Sequence, residues 1–272
     1  MKFSQRLVIL GLVLLFLIPQ FGIGQTNKKA VQKSIDKRAK KYEQIAKSIW
    51  NFAEVGYQEE KSSGLLKKTL SDEGFSIKSG VAKIPTAFVA EYGSGQPVIG
   101  ILAEFDALPG ISQEVATQRQ PIENQGAGHA CGHHLFGTAS TAAAIAVKDY
   151  LKKTGQKGTI RLYGTPAEEG GSGKVYMVRA GLFDDVDVVL HWHAGDRNTA
   201  RPSTSMANRS AKFRFHGYSA HAAGAPEKGR PSLDAVDAMN HTTTYKHNHE
   251  RTPYQLFSST DIHSNTKHWH PF

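Results

Sequence analysis

The stretch Gly126-Ala127-Gly128-His129-Ala130-Cys131-Gly132-His133-His134, running on into the Ala-rich residues 135–150, decides how this chain is read. Its glycines allow a turn tight enough for neighbouring side chains to converge on one point. The Ala-rich run is long enough for a buried helix. Outward from it lie short apolar runs of strand character at residues 75–78, 86–91, 98–104, 159–163 and 187–191. Helical patterns occupy residues 27–52, 62–70 and 175–180, the second opened by Ser62-Ser63 and closed by Gly74. Strands alternating with helices predict an α/β layer fold around a largely buried mixed sheet. The character changes near Arg201. Residues 210–216 alternate as a half-exposed strand does, and residues 231–239 follow as a helix, the expected start of a second, smaller domain.

Four motifs carry chemistry. Cys131 and His133 offer a thiolate and an imidazole, both good ligands for zinc or a similar divalent ion. A buried cysteine beside ordinary turn histidines is the alternative. Directly after a strand comes Thr165-Pro166-Ala167-Glu168-Glu169-Gly170-Gly171. One of its carboxylates can bind metal while its neighbour acts as general base on an activated water, or the pair is a solvated acidic turn. Leu190-His191-Trp192-His193-Ala194-Gly195 offers a ligand or a structural histidine. Asp106, in Ala103-Glu104-Phe105-Asp106-Ala107-Leu108-Pro109, either orients a ligand from behind or makes a turn before Pro109. Each motif lies just beyond a predicted strand, where open α/β sheets gather their ligand-binding loops. Cys, His, Glu and His together make a sensible ligand set for one or two divalent cations.

A length of 272 residues with 39% apolar composition suffices for one sizeable core or one and a half domains. The net charge of +9 is concentrated in Lys28, Lys29, Lys33, Lys37, Arg38, Lys40, Lys41 and Lys47. Val31, Ile35, Tyr42, Ile45 and Ile49 recur among them at helical spacing, which reads as a surface helix with a solvated basic face. No nucleic-acid motif accompanies it, so no nucleic-acid partner is expected. A basic surface-binding protein acting through residues 28–47 has charge alone in its favour. Lys2 and Arg6, the apolar residues 7–18, Pro19 and Gly22-Ile23-Gly24 read as a secretion signal over residues 1–24. That run is short for a membrane span, which needs about 20 residues. An exported protein, periplasmic or secreted and free of the membrane after cleavage, is therefore expected, with an uncleaved anchor as the alternative. Cys131 is the only cysteine, which excludes an internal disulfide.

Taken together, residues 103–109, 129–133, 166–170 and Phe215-His216-Gly217-Tyr218-Ser219-Ala220-His221-Ala222-Ala223 resemble the amidohydrolase branch of the M20 peptidase superfamily. That branch includes N-acyl-amino-acid hydrolases and auxin-conjugate hydrolases. The likeness runs from about Ala46 to Met239. It implies a zinc-peptidase-like catalytic domain with a mixed sheet over residues 25–204, and an inserted α+β lid or dimerisation domain beginning at residues 205–241. It implies Cys131, His133, Glu169 and His193 as ligands to two ions of zinc, manganese or cobalt. Glu168 would be the general base, and His221 would reach into the partner subunit of a homodimer to polarise the scissile carbonyl. The implied reaction is hydrolysis, by metal-activated water, of the amide bond in an N-acyl or aminobenzoyl amino acid or a small peptide-like substrate. Cys131 acting as a nucleophile with His133 is the rival, and it leaves Glu168, Glu169 and His193 without roles.

Residues 242–272 are rich in Thr, Ser, Asn and His and show no helical or strand period. His241, His247, His249, His263, His268 and His270 place six of the chain's 13 histidines in its last 32 residues. The stretch reads as a metal-binding tail or as a departure from the reading frame. Members of the resembled family continue well beyond this length, so an incomplete catalytic unit is expected. The alternative function is an inactive truncated remnant or a non-catalytic metal-binding protein.

Overall fold

Two helices stand where the sequence pattern suggested one. In the computed structural model, which describes residues 21–200, 204 and 213–249, α1 spans Phe21–Asp36 and α2 spans Ala39–Phe52. A turn at Lys37-Arg38 separates them, and there Arg38 directs its guanidinium back onto Ser34 Oγ (2.9 Å) and across to Asp149 (2.9 Å) and Glu73 (3.4 Å). Part of the basic run is thus an ion network with Lys148 and not a solvated face. α2 buries Tyr42, Ile45, Ala46 and Ile49 along one stripe, as three- and four-residue spacing requires. Residues 1–20 of the expected leader lie outside the described residues, within which no helix is long and apolar enough to cross a membrane.

The following elements are α3 (Glu60–Asp72), β1 (Ser76–Ser79), β2 (Phe88–Ser94), β3 (Val98–Ala103), β4 (Leu108–Pro109), β5 (Ala127–Gly128), α4 (His133–Thr154), β6 (Gly158–Gly164), α5 (Gly173–Arg179) and β7 (Val188–Leu190). Five strands form one sheet in the order β1-β2-β6-β3-β7, and β4 pairs with β5 in a separate ribbon. β1 and β6 flank β2 antiparallel, while β3 runs parallel to both β6 and β7. The α/β mixed-sheet expectation is met.

Alternation along the strands gives the sheet two packed faces. Ile101, Ile160 and Leu162 pack with Ile45, Ile49, Leu66, Leu70 and Ile145 on the face covered by α2, α3 and α4. Leu102 and Tyr163 turn the other way, to Met177 of α5, Val81 and Ile84. Each large apolar side chain so buried contributes about 1.5–3 kcal/mol. α4 is buried on most of its surface because its residues are small. A Cβ at Gly137 would lie 2.7 Å from the carbonyl oxygen of Glu104 and 3.3 Å from Phe105 Cβ. That glycine lets the first turns of α4 rest directly on the chain leaving β3.

The structure divides between Asn198 and Thr199 into two units. In the second, Tyr218 and Arg230 exchange backbone hydrogen bonds of 2.9 Å, and α6 spans Ser232–His249. Of the strand expected at 210–216, residues 213–216 are not extended into a ladder, and residues 210–212 lie outside the described residues. α6 continues through residues 242–249, where the pattern suggested lost periodicity. Thr, His and Asn are weak helix formers but not breakers, and no glycine or proline interrupts the run.

A candidate metal centre at the ends of β3, β6 and β7

Because β6, β3 and β7 lie side by side and parallel, their C-terminal ends share one edge of the sheet. β3 delivers Glu104 and Asp106, β6 delivers residues 165–171, and β7 delivers His191 and His193. The β6 loop is pinned to β3 by Thr165, whose amide and hydroxyl both donate to the Ala103 carbonyl (2.8 and 3.0 Å).

His133 opens α4 and is fully buried. Its Nδ1 donates to Asp106 Oδ1 (3.0 Å), which leaves Nε2 facing inward. Nε2 lies 3.0 Å from Glu104 Oε2, 3.4 Å from His193 Nε2, 3.8 Å from Glu168 Oε2 and 4.0 Å from Glu169 Oε1. The ligand-capable atoms of Glu104, His133 and His193 fall within 4.8 Å of one another, and so do those of His133, Glu168 and Glu169. His193 Nδ1 donates to the Ala194 carbonyl (2.9 Å), which directs its Nε2 at the cluster. Asp106 Oδ2 accepts the amide of Glu169 (2.8 Å), so one buried carboxylate orients two members of the group.

Two oxygens test whether a cation fits. Glu169 Oε1 is buried and finds no donor in hydrogen-bonding geometry among the described residues, and Glu104 Oε2, also buried, faces His133 Nε2 at 3.0 Å. A buried oxygen without a donor is rare in folded proteins. Here the two oxygens flank His133 Nε2, Glu104 on the side shared with His193 and Glu169 on the side shared with Glu168, donor sets suited to zinc, manganese or cobalt.

The local electrostatics agree. Burial disfavours a charged His133, but Asp106 and Glu104 outweigh it and push its pKa up to about 10. Without metal, a proton supplies the positive charge that the carboxylates demand, and ligation would displace it. Burial works against ionisation of Glu104, yet His133, His191 and Lys174 hold its carboxyl far below the usual range. Burial raises the pKa of Glu168, with Glu104 adding to the effect. The neighbouring Glu169 carboxylate, more than burial, pushes the Cys131 thiol up to about 11. A thiol so shifted is protonated at neutral pH, which weakens the nucleophile rival.

The structure therefore brings together His133, Glu168, Glu169 and His193 from the sequence-predicted set. Cys131 stands beside Glu169 but in neither three-residue group. His221 belongs to the second unit, where it is exposed and its Nδ1 accepts the Gly224 amide (3.0 Å). Sequence reasoning missed Glu104, together with Lys174 and His191 (3.3 Å), which hold its Oε1. One signal was available: Glu104 stands two residues before Asp106 at a strand end, so alternation puts both on one face.

The chain matches the model of peptidase family M20/M25/M40 over residues 100–263, which include every side chain of the cluster. It is 44% identical over 247 residues to a component chain of the p-aminobenzoyl-glutamate hydrolase of Escherichia coli (strain K12), covering 86% of this chain and 50% of that one. It is 31% identical over 229 residues to the Xaa-Arg dipeptidase of Homo sapiens, covering 78% of this chain and 49% of that protein. The aminobenzoyl-glutamate utilization protein from Klebsiella pneumoniae superposes with a TM-score of 0.50 at 20% identity, over 76% of this chain and 57% of the other, a likeness of fold. The chain spans about half the length of the curated relatives it matches. With more than half of its residues inside the family match, the chain belongs to peptidase family M20/M25/M40.

Proposed function

We propose that this chain carries the catalytic centre of a metal-dependent amidohydrolase acting on an N-acyl or aminobenzoyl amino acid or a small peptide-like substrate. The observation that carries this reading is the convergence on His133 Nε2 of two ligand-capable groups, Glu104 with His193 and Glu168 with Glu169. When bound, a pair of divalent cations (zinc, manganese or cobalt) would supply the Lewis acidity that brings the pKa of a water near neutrality.

The chain's own residues do the remaining work. His133, Glu169, His193 and Cys131, which adjoins Glu169, hold the site, with Asp106 orienting the first two. Glu168 keeps 44% of its side chain exposed, with His133 Nε2 at 3.8 Å, beyond hydrogen-bonding reach. It takes the proton from the attacking water and delivers it to the leaving amine. Its raised pKa suits a group that must both accept and return a proton. Family likeness assigns His221, from the partner of a homodimer, to the carbonyl oxygen as charge develops there. The relatives' names support the substrate class, because p-aminobenzoyl-glutamate and an Xaa-Arg dipeptide both present a secondary amide beside a free carboxylate.

The test is Glu168→Gln, assayed on p-aminobenzoyl-glutamate with added zinc, manganese or cobalt. Hydrolysis should fall by about 100-fold or more, the scale of general base catalysis, while cobalt binding persists. Hydrolysis undiminished in the variant would refute the assignment. Cation binding by the unmodified chain without any hydrolysis would favour a non-catalytic metal-binding protein.

A further inference from the structure

Glu59 stands at the N-cap of α3, where a side-chain acceptor normally serves the first amides of the helix. It makes no such bond. Glu54 does that work instead, accepting the amides of Lys61 (2.9 Å) and Ser62 (2.8 Å). The Glu59 carboxylate, wholly buried, crosses to the loop that carries Glu168. Its Oε1 accepts the amide of Ala167 (2.8 Å) and its Oε2 accepts the hydroxyl of Thr86 (2.9 Å). Ala167 is left-handed (φ 56, ψ 44), a conformation that a residue with a Cβ keeps only where its surroundings impose it.

Two neighbours of Glu59 grip the same loop. Gly56 comes so near that a Cβ there would lie 3.0 Å from Ala167 Cα. Tyr57 donates its hydroxyl to the Gly171 carbonyl (2.6 Å). Between the two holds lie Glu168 and Glu169.

We propose that residues 56–59, with Glu59 at their centre, form a positioning cradle that sets where Glu168 and Glu169 stand in the cation site. The inference rests on the metallo-amidohydrolase reading above. Glu59 is a positioning residue: its hydrogen bonds go to Thr86 and to the backbone of Ala167, and it acts on the site through that backbone.

The experiment is a cobalt titration of the purified chain, followed by visible absorption, on the unmodified protein and three variants. Glu59→Met keeps the bulk and removes the acceptor. Glu59→Gln keeps an oxygen for the Ala167 amide and can donate to Thr86. Tyr57→Phe removes an exposed hydroxyl with little risk to folding. Glu59→Met should weaken cobalt binding by about 10-fold or more and alter the band, as loss of a partner that orients the ligands does. Glu59→Gln should restore binding near the unmodified value, and Tyr57→Phe should show a smaller loss. In hydrolysis assays kcat should fall in Glu59→Met with little change in KM. A folded Glu59→Met that binds cobalt and turns over as the unmodified chain does overturns the inference, as does a Glu59→Gln equally impaired. If Glu59→Met does not fold, Tyr57→Phe decides, and unmodified binding there overturns it. No cobalt spectrum in the unmodified chain brings down the metal reading and this inference together. Normal cobalt binding with neutral cradle variants brings down the inference alone.

Discussion

Replacing Asp106 with asparagine removes one charge and no volume, yet no orientation of the new side chain can serve both of its partners and leave His133 Nε2 free for a cation. Asp106 is buried and accepts twice, from His133 Nδ1 at 3.0 Å and from the Glu169 amide at 2.8 Å. Asparagine brings one oxygen and one amino group. If the oxygen faces His133, the amino group meets the Glu169 amide donor to donor. If the oxygen faces Glu169, the amino group must be received by Nδ1, and the ring proton moves to Nε2, the atom aimed at the cation. The first arrangement forfeits one hydrogen bond to a charged group, worth about 1.5–3 kcal/mol, whereas the second keeps both bonds but puts the ring proton on the nitrogen that must bind the cation. At about 1.4 kcal/mol per factor of ten, the forfeited bond amounts to roughly a 10- to 100-fold loss of cation affinity, the range seen for such partners elsewhere. The assay is cobalt or zinc titration against a competing chelator, paired with thermal melts. The rise in Tm that saturating metal confers on the unmodified chain should shrink in Asp106→Asn. Affinity equal to that of the unmodified protein would refute the reasoning, because Asp106 would then set neither the tautomer of His133 nor the position of Glu169.

Two further outcomes concern stability. His129 is buried beside Trp50, bonds through Nε2 to the Ile49 carbonyl (3.0 Å), and burial lowers its pKa to about 4. The unfolded chain takes up the proton first, so the contribution of a neutral His129 is complete above about pH 6.5 and is lost as the pH falls toward 4. Urea unfolding should show about 2 kcal/mol of loss between pH 6.5 and pH 5 from this residue, a slope that His129→Gln flattens. Gly164 on β6 lies opposite Phe88, whose ring atoms would stand 2.1–2.6 Å from an added Cβ. Gly164→Ala must displace a fully buried ring and should cost about 1–3 kcal/mol in the same assay.

The strands and the long helix were legible because their causes are local. Short apolar runs mark β2, β3 and β6, and small residues mark α4. His133, Glu168, Glu169 and His193 were legible for the same reason, as chemically able side chains in loops just past strand ends. The break between α1 and α2 was not, because no glycine or proline marks it. Arg38, at the break, bonds Asp149, 111 positions along the chain. The short spacing of Cys131 and His133 suggested that both converge on one ion. Gly132, left-handed at the N-cap of α4, puts His133 in the first turn of the helix and leaves Cys131 on the turn before it, beside Glu169.

Sequence by itself thus determined the layers, the motif loops and the family, since turns, periodicity and ligand chemistry are properties of consecutive residues. Tertiary structure alone decided that Glu104 closes the cluster, that Asp106 selects the tautomer of a histidine 27 positions away, and that Glu59 reaches across 108 positions to hold Ala167. Those outcomes depend on strand order and on the close seat of α4 at Gly137. Neither exists until distant segments have packed, so no local pattern can encode them.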